Sequence, residues 1–139
     1  MKNKILATLN PVDMPQSVKG ALVAIWKEIP KNISDICYTY GEICYSPREL
    51  TRDLLVHESV HTEQQGSNID AWWKRYGTDV EFRYSQELEA YRAQYKYILA
   101  VKGKGQAFTC AKRFAGDMSA PMYGNMCTFN KALQDILRK

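Results

Sequence analysis

The chain's two histidines stand in one five-residue string, His57-Glu58-Ser59-Val60-His61. On an α-helix, positions i and i+4 lie on one face about one turn apart, so both imidazoles can reach the same ion. With His57 set at zero, His61 lies at about 40° and Glu58 at about 100° around the axis. Glu58 therefore flanks the ion's position without having to bind it, and is placed to take a proton from a metal-bound water. The chemistry this spacing supports is metal-assisted hydrolysis, with zinc as the expected ion. A surface helix with an accidental histidine pair is the competing reading, and the apolar residues flanking the string speak against it.

Two histidines do not complete a catalytic zinc site, which takes three protein ligands and keeps a position open for water. With no third histidine in the chain, the third ligand must be a carboxylate or a cysteine. The segment Gln86-Glu87-Leu88-Glu89-Ala90-Tyr91-Arg92-Ala93-Gln94-Tyr95 offers Glu87 and Glu89, which point about 200° apart on a helix, so only one of them can face the ion. Glu87 shares its face with Ala90, Tyr91 and Gln94, and the small Ala90 would let two helices approach closely. Glu89 shares its face with Arg92 and Lys96, as a solvent-exposed acid would. Glu87 is the preferred ligand.

The elements that must hold these groups are legible in outline. Ser46-Pro47-Arg48-Glu49 reads as a capping box, with Ser46 as N-cap and Pro47 at the first helical position. Gly66 follows Gln64 and Gln65, where that helix should stop. Leu50, Leu54, Val56 and Val60 share an arc with the histidines and should turn them toward apolar surroundings. Upstream, Val18, Leu22, Ile25, Trp26 and Ile29 recur at helical spacing over residues 15–29, and Pro30 ends the run. Ile33 to Tyr40 and Glu42 to Tyr45 are β-prone and meet at Gly41 as a hairpin. Downstream, Ser67-Asn68-Ile69-Asp70 opens a short helix carrying Trp72, Trp73 and Tyr76, closed by Gly77. Val80-Glu81-Phe82-Arg83-Tyr84 reads as extended, and Ser85 as the N-cap of a helix over about 86–102. Residues 103–139 read as a loop followed by a final amphipathic helix with Ala132, Leu133, Ile136 and Leu137. The fold class expected is α+β, as a single domain over residues 1–139.

Composition sets the outer limits. A chain of 139 residues that is 45% hydrophobic can bury a real core. The net charge of +4 is mild and the Lys and Arg residues are scattered rather than striped, so no nucleic-acid partner is expected. No apolar run approaches the roughly 20 residues a membrane crossing needs. The start of the chain has too short an apolar run for a signal peptide, and Asn10-Pro11 interrupts it, so a cytoplasmic location is expected. None of the four cysteines, Cys37, Cys44, Cys110 and Cys127, forms a Cys-x-x-Cys pair, so a separate structural zinc site is not expected. With a turn at Tyr40-Gly41, Cys37 and Cys44 would face each other across the hairpin. They would be open to a disulfide in an oxidising compartment and free thiols otherwise.

The order of hairpin, His-Glu-x-x-His helix, Gln-Gln and Glu-x-Glu-Ala-Tyr helix resembles the small gluzincin-like zinc metallopeptidases. These are minimal zincin domains, many of them phage-type. The resemblance covers about Tyr38 to Tyr97, with further support from Pro121-Met122-Tyr123-Gly124-Asn125-Met126. It implies a minimal zincin-like fold in which His57, His61 and Glu87 bind zinc and Glu58 is the general base. It also implies a peptide or protein substrate that pairs its backbone with the hairpin's outer strand. This chain departs from longer gluzincins in lacking a downstream histidine for the oxyanion. Tyr91 and Tyr123 are the candidate replacements, each with core packing as its alternative role. Asp53, one turn before His57, is either a partner of a ligand histidine or a surface acid. Trp72 and Trp73 could line a substrate wall, at least one of them belonging to the core. Two other functions fit the same residues. One is a zinc-binding pseudoenzyme that captures a peptide on the hairpin edge, and the other is a hydrolase of peptidoglycan amides.

Overall fold

The computed structural model of the protein describes residues 14–28 and 35–139. Among these the elements run α1 (Gln16–Trp26), β1 (Tyr38–Tyr40), β2 (Ile43–Tyr45), α2 (Arg52–Gln65), α3 (Ile69–Thr78), α4 (Val80–Lys102), α5 (Lys104–Met118), a 3-10 turn (Pro121–Tyr123) and α6 (Phe129–Leu137). The fold is α+β, mostly helical with one two-stranded antiparallel sheet. No helix among the described residues is long and apolar enough to cross a membrane.

Apolar burial divides into two clusters. One joins α1, α3 and β1 through Val18, Leu22, Ile25, Tyr38, Trp72, Trp73 and Tyr76. The other joins α4, α5 and α6 through Tyr91, Ile98, Phe114, Met118 and Ile136. Helix α1 crosses α3 closely because Gly77 lies against Ala21, where an added Cβ would stand 2.7 Å from the Ala21 Cα. Gly77 is thus a packing glycine inside α3 and not the helix terminator expected of it; α3 runs on to Thr78. Trp72 and Trp73 are both buried in the first cluster, and Trp26 packs partly buried against it.

Helix α2 lies against α4 and β1, and its buried residues are Val56, His57, Glu58, Ser59, His61 and Gln65. The inward face is therefore polar. Leu54 and Val60, expected to carry an apolar stripe, are only half-buried. The helix ends at Gly66 as expected, with φ at 52° and its N–H on the Thr62 carbonyl. Its start is different. Thr51 is the N-cap, and the Ser46 hydroxyl accepts from the Arg48 N–H and donates to the Arg48 carbonyl. A serine that satisfies groups two residues away closes a turn of its own and leaves nothing to cap a helix at residue 47.

Three other expectations are corrected. Residues 80–84 are helical, because the Asp79 carboxylate caps α4 by accepting from the Phe82 N–H at 3.0 Å. Ser85 sits inside the helix, donating back to the Phe82 carbonyl. Residues 104–118 form a helix where a loop was expected. Its buried stripe of Ala107, Ala111, Phe114, Ala115 and Met118 has helical spacing, and the loop expectation rests on Gly103, Gly105 and Gly116, poor helix formers that the packed face overrides. The hairpin turn lies at Gly41-Glu42, one residue later than expected, so Thr39 pairs with Cys44 and Tyr40 with Ile43. Gly41 takes φ of +66° there, and its N–H donates to the Gln65 side chain. Ile29, Pro30, Ile33 and Ser34 lie outside the described residues.

Candidate metal centre

His57 and His61 both direct Nε2 at one carboxylate, that of Glu87 on α4. The distances are 3.3 Å from His57 Nε2 to Glu87 Oε1 and 3.4 Å from His61 Nε2 to Glu87 Oε2. All three side chains are buried. Helix packing produces this meeting: α2 lies against α4, and Ala90, on the same face of α4 as Glu87, is fully buried. Glu89, two residues further along α4 and about 200° around it, is exposed.

The other ring nitrogens are held by two glutamines. His57 Nδ1 lies 3.1 Å from Gln94 Oε1, and the Gln94 amide nitrogen donates to Asp53 Oδ2 at 2.8 Å. His61 Nδ1 lies 2.8 Å from Gln64 Oε1, and the Gln64 nitrogen donates to the Gln86 carbonyl and to Glu89 Oε1. Each amide spends its N–H on a carboxylate or carbonyl, so its oxygen must face the ring and accept from Nδ1–H. Both Nε2 lone pairs are then left pointing at a carboxylate. Such an arrangement repels itself unless a cation stands among the three groups. Glu87 Oε1 is buried without a hydrogen-bond partner, while Oε2 accepts from the Tyr76 phenol at 2.6 Å.

In the absence of a metal, a proton serves as that cation. Burial by itself pushes His61 down, but the Glu87 charge and hydrogen bond overcome it and raise the group to about 9. Burial pushes Glu87 up, yet the neighbouring imidazoles hold it well below the usual carboxylate range. The pocket favours positive charge at the point where Nε2 of both rings and Glu87 converge. His57, Glu58 and His61 also form a cluster that could hold a metal ion. Two imidazole nitrogens and a carboxylate oxygen fit a zinc donor set.

Glu58 stands beside this point, its Oε2 3.8 Å from His57 Nε2. Its Oε1 accepts from the Thr39 hydroxyl at 2.7 Å, so strand β1 sets the orientation of the carboxylate. The Thr39 carbonyl accepts in turn from the Gln65 amide and the Trp73 indole, which occupies that point of the β1 edge internally. Tyr91 packs edge-on against His57, with ring centroids 4.4 Å apart, and its phenol meets that of Tyr123 at 3.0 Å. Burial first, then the Glu87 charge, pushes both phenols well above their ordinary range, so they remain protonated donors. Buried Arg83 donates to the carbonyls of Tyr76 and Tyr123, and one guanidinium thereby positions two of the three tyrosines around the centre. A cavity of about 380 Å³ opens onto these groups and is walled by Leu22, Ile25, Trp26, Ile36, Trp72 and Met122 among others.

Every candidate named from the sequence, His57, Glu58, His61, Glu87, Tyr91 and Tyr123, lines this one cavity. Asp53 acts through Gln94 and does not touch a histidine directly. Four residues at the centre were not singled out: Tyr76, Gln64, Gln94 and Thr39. Gln64 and Gln94 had a signal, since Gln64 follows His61 by three residues and Gln94 follows Glu87 by seven, each on its neighbour's face. Tyr76 and Thr39 had none, because their partners are distant in the chain. Comparison with protein-family models, with curated proteins and with solved structures finds no match.

Proposed function

We propose that this chain is a zinc-dependent peptidase of the small gluzincin type, with His57, His61 and Glu87 as the metal ligands. The observation that carries the reading is the approach of both Nε2 atoms, one to each oxygen, to the buried Glu87 carboxylate, whose Oε1 has no hydrogen-bond partner. Both ring tautomers are fixed from behind by Gln94 and Gln64. Zinc bound there would supply a water of pKa near 7 and polarise a carbonyl oxygen.

The chain's own residues account for the rest. Glu58, oriented by Thr39, accepts the water proton and returns it to the leaving amine. In the Tyr91–Tyr123 pair one phenol donates to the other, which leaves one O–H as a donor to the oxyanion that develops on the carbonyl oxygen. The aromatic and aliphatic walls exclude water and suit a peptide with a bulky apolar side chain.

Glu58→Gln tests this reading, because it removes the base and no ligand. The variant should keep one zinc per chain by elemental analysis and lose about 10²–10⁴-fold in hydrolysis of a peptide library. Full zinc occupancy with peptide binding but no turnover in the wild type would instead identify a binding module.

A further inference from the structure

Behind Glu58, on the hairpin side, lies a second group of ligating atoms that the peptidase chemistry does not use. Strand alternation puts Cys37 and Thr39 on one face, and Cys44 pairs with Thr39. The inner face of the hairpin therefore presents two thiols to α2, on either side of the threonine that holds Glu58. The shifted turn makes the cysteines diagonal neighbours, not the directly opposed pair expected from the sequence. Their sulfurs are 3.8 Å apart. A disulfide would require about 2.05 Å. Two metal–sulfur bonds of about 2.3 Å at a tetrahedral angle would set the sulfurs about 3.8 Å apart. One ligand atom each from Cys37, Cys44 and Glu58 falls within 4.8 Å of the others. Cys44 is buried and Cys37 is exposed, which gives an ion a path from solvent.

We propose that Cys37, Cys44 and Glu58 form a second metal site, for a thiophilic divalent cation such as zinc or cadmium, sharing Glu58 with the histidine centre. Soft thiolates select such ions over magnesium or calcium. Glu58 presents one oxygen to the hairpin and the other to His57, so a single carboxylate serves both sides. A carboxylate bound to the second ion through one oxygen is a much weaker base at the other, because the cation withdraws its charge. Filling the thiol site therefore weakens the general base. That consequence rests on the function proposed above; the binding itself does not.

The test is a cadmium titration of reduced protein under anaerobic conditions, read by the ultraviolet thiolate-to-cadmium charge-transfer band. Wild type is compared with Cys37→Ser/Cys44→Ser, Glu58→Gln and His57→Ala/His61→Ala. The band should saturate at one thiolate-bound ion in the wild type and in the histidine variant, and be lost in the double serine variant. Glu58→Gln should weaken it about tenfold, since a charged ligand becomes neutral. Wild type preloaded with one equivalent of zinc gives the same reading if the histidine variant does not fold. No band in the wild type, or a band that survives in the double serine variant, overturns the site. An unchanged affinity in Glu58→Gln overturns the sharing of Glu58. Where hydrolysis is measurable, excess zinc should inhibit the wild type and spare the double serine variant. If hydrolysis is absent altogether, the peptidase reading fails while the cadmium titration still decides the site.

Discussion

Removing one oxygen from Tyr76 is the sharpest probe of how the centre is held. Its phenol donates to Glu87 Oε2 at 2.6 Å, and both residues are buried. A hydrogen bond to a charged partner contributes about 1.5–3 kcal/mol, and a tenfold change in affinity corresponds to about 1.4 kcal/mol. Tyr76→Phe should therefore weaken zinc binding by about 10–100-fold, the range found when groups that orient metal ligands are removed. The ring itself stays. It stacks on Trp72 with centroids 4.9 Å apart and meets Trp73 at 5.3 Å, so the aromatic cluster should survive the change. Affinity is measured by competition against a chromophoric chelator, and near-ultraviolet circular dichroism reports the aromatic packing. A zinc affinity within about twofold of wild type, with unchanged aromatic packing, would refute the claim that Tyr76 positions the Glu87 carboxylate.

The other predictions concern ligand choice, packing and pH. Glu87→Ala in a Cys37→Ser/Cys44→Ser background, where the histidine centre is the remaining site, should lose most of its zinc by elemental analysis. Glu89→Ala, which removes only the exposed partner of Gln64, should cost no more than about tenfold in affinity. Gly77→Ala drives a Cβ to 2.7 Å from the Ala21 backbone and should lower stability by about 1–3 kcal/mol in urea. Gly116→Ala meets nothing within 4 Å on α5 and should leave stability unchanged or raise it by up to about 1 kcal/mol. In chelated protein, the raised His61 contributes stability that is complete below its ordinary value of 6.5 and is lost as pH climbs through about 9. The same ion pair lowers Glu87, whose contribution is complete above its ordinary 4.5 and is lost in acid. Urea midpoints should accordingly peak between those two values. A rise in the chelated protein's midpoint from pH 6.5 to 9 would contradict the pairing. Zinc binding between pH 7 and 8 should release about one proton per chain from His61 and up to about one more from the zinc-bound water, read by calorimetry in buffers of different ionisation enthalpy.

Gly66, Trp72, Trp73 and the helical spacing of Val18, Leu22 and Ile25 were legible because their signals are local. The misreadings have a common origin. At Ser46, Val80–Tyr84 and residues 104–118, local propensity pointed one way while a nearby group or a packing face settled the matter otherwise. Asp79 captured the Phe82 N–H, and a run that alternates like a strand became the first turn of α4. The glycines of residues 103–116 disfavour a helix locally, yet the apolar face of α5 packs against α4 and α6 and holds it helical.

The i, i+4 spacing of His57 and His61, and the offset of Glu58 from them, follow from helical geometry and needed nothing beyond α2. The same geometry separated Glu87 from Glu89 on α4. Only the packing of α2 against α4 could bring Glu87 Oε1 to 3.3 Å from His57 Nε2, and only the placement of α3 could deliver the Tyr76 phenol to the opposite oxygen. Thr39 reaches Glu58 across 19 positions of chain, and Gln94 reaches His57 across 37. Periodicity is set by backbone hydrogen bonds within one helix. The meeting of distant side chains depends instead on how whole elements bury their faces against each other, so the ligand-bearing helix could be read from the sequence while the surroundings that hold its ligands in place could not.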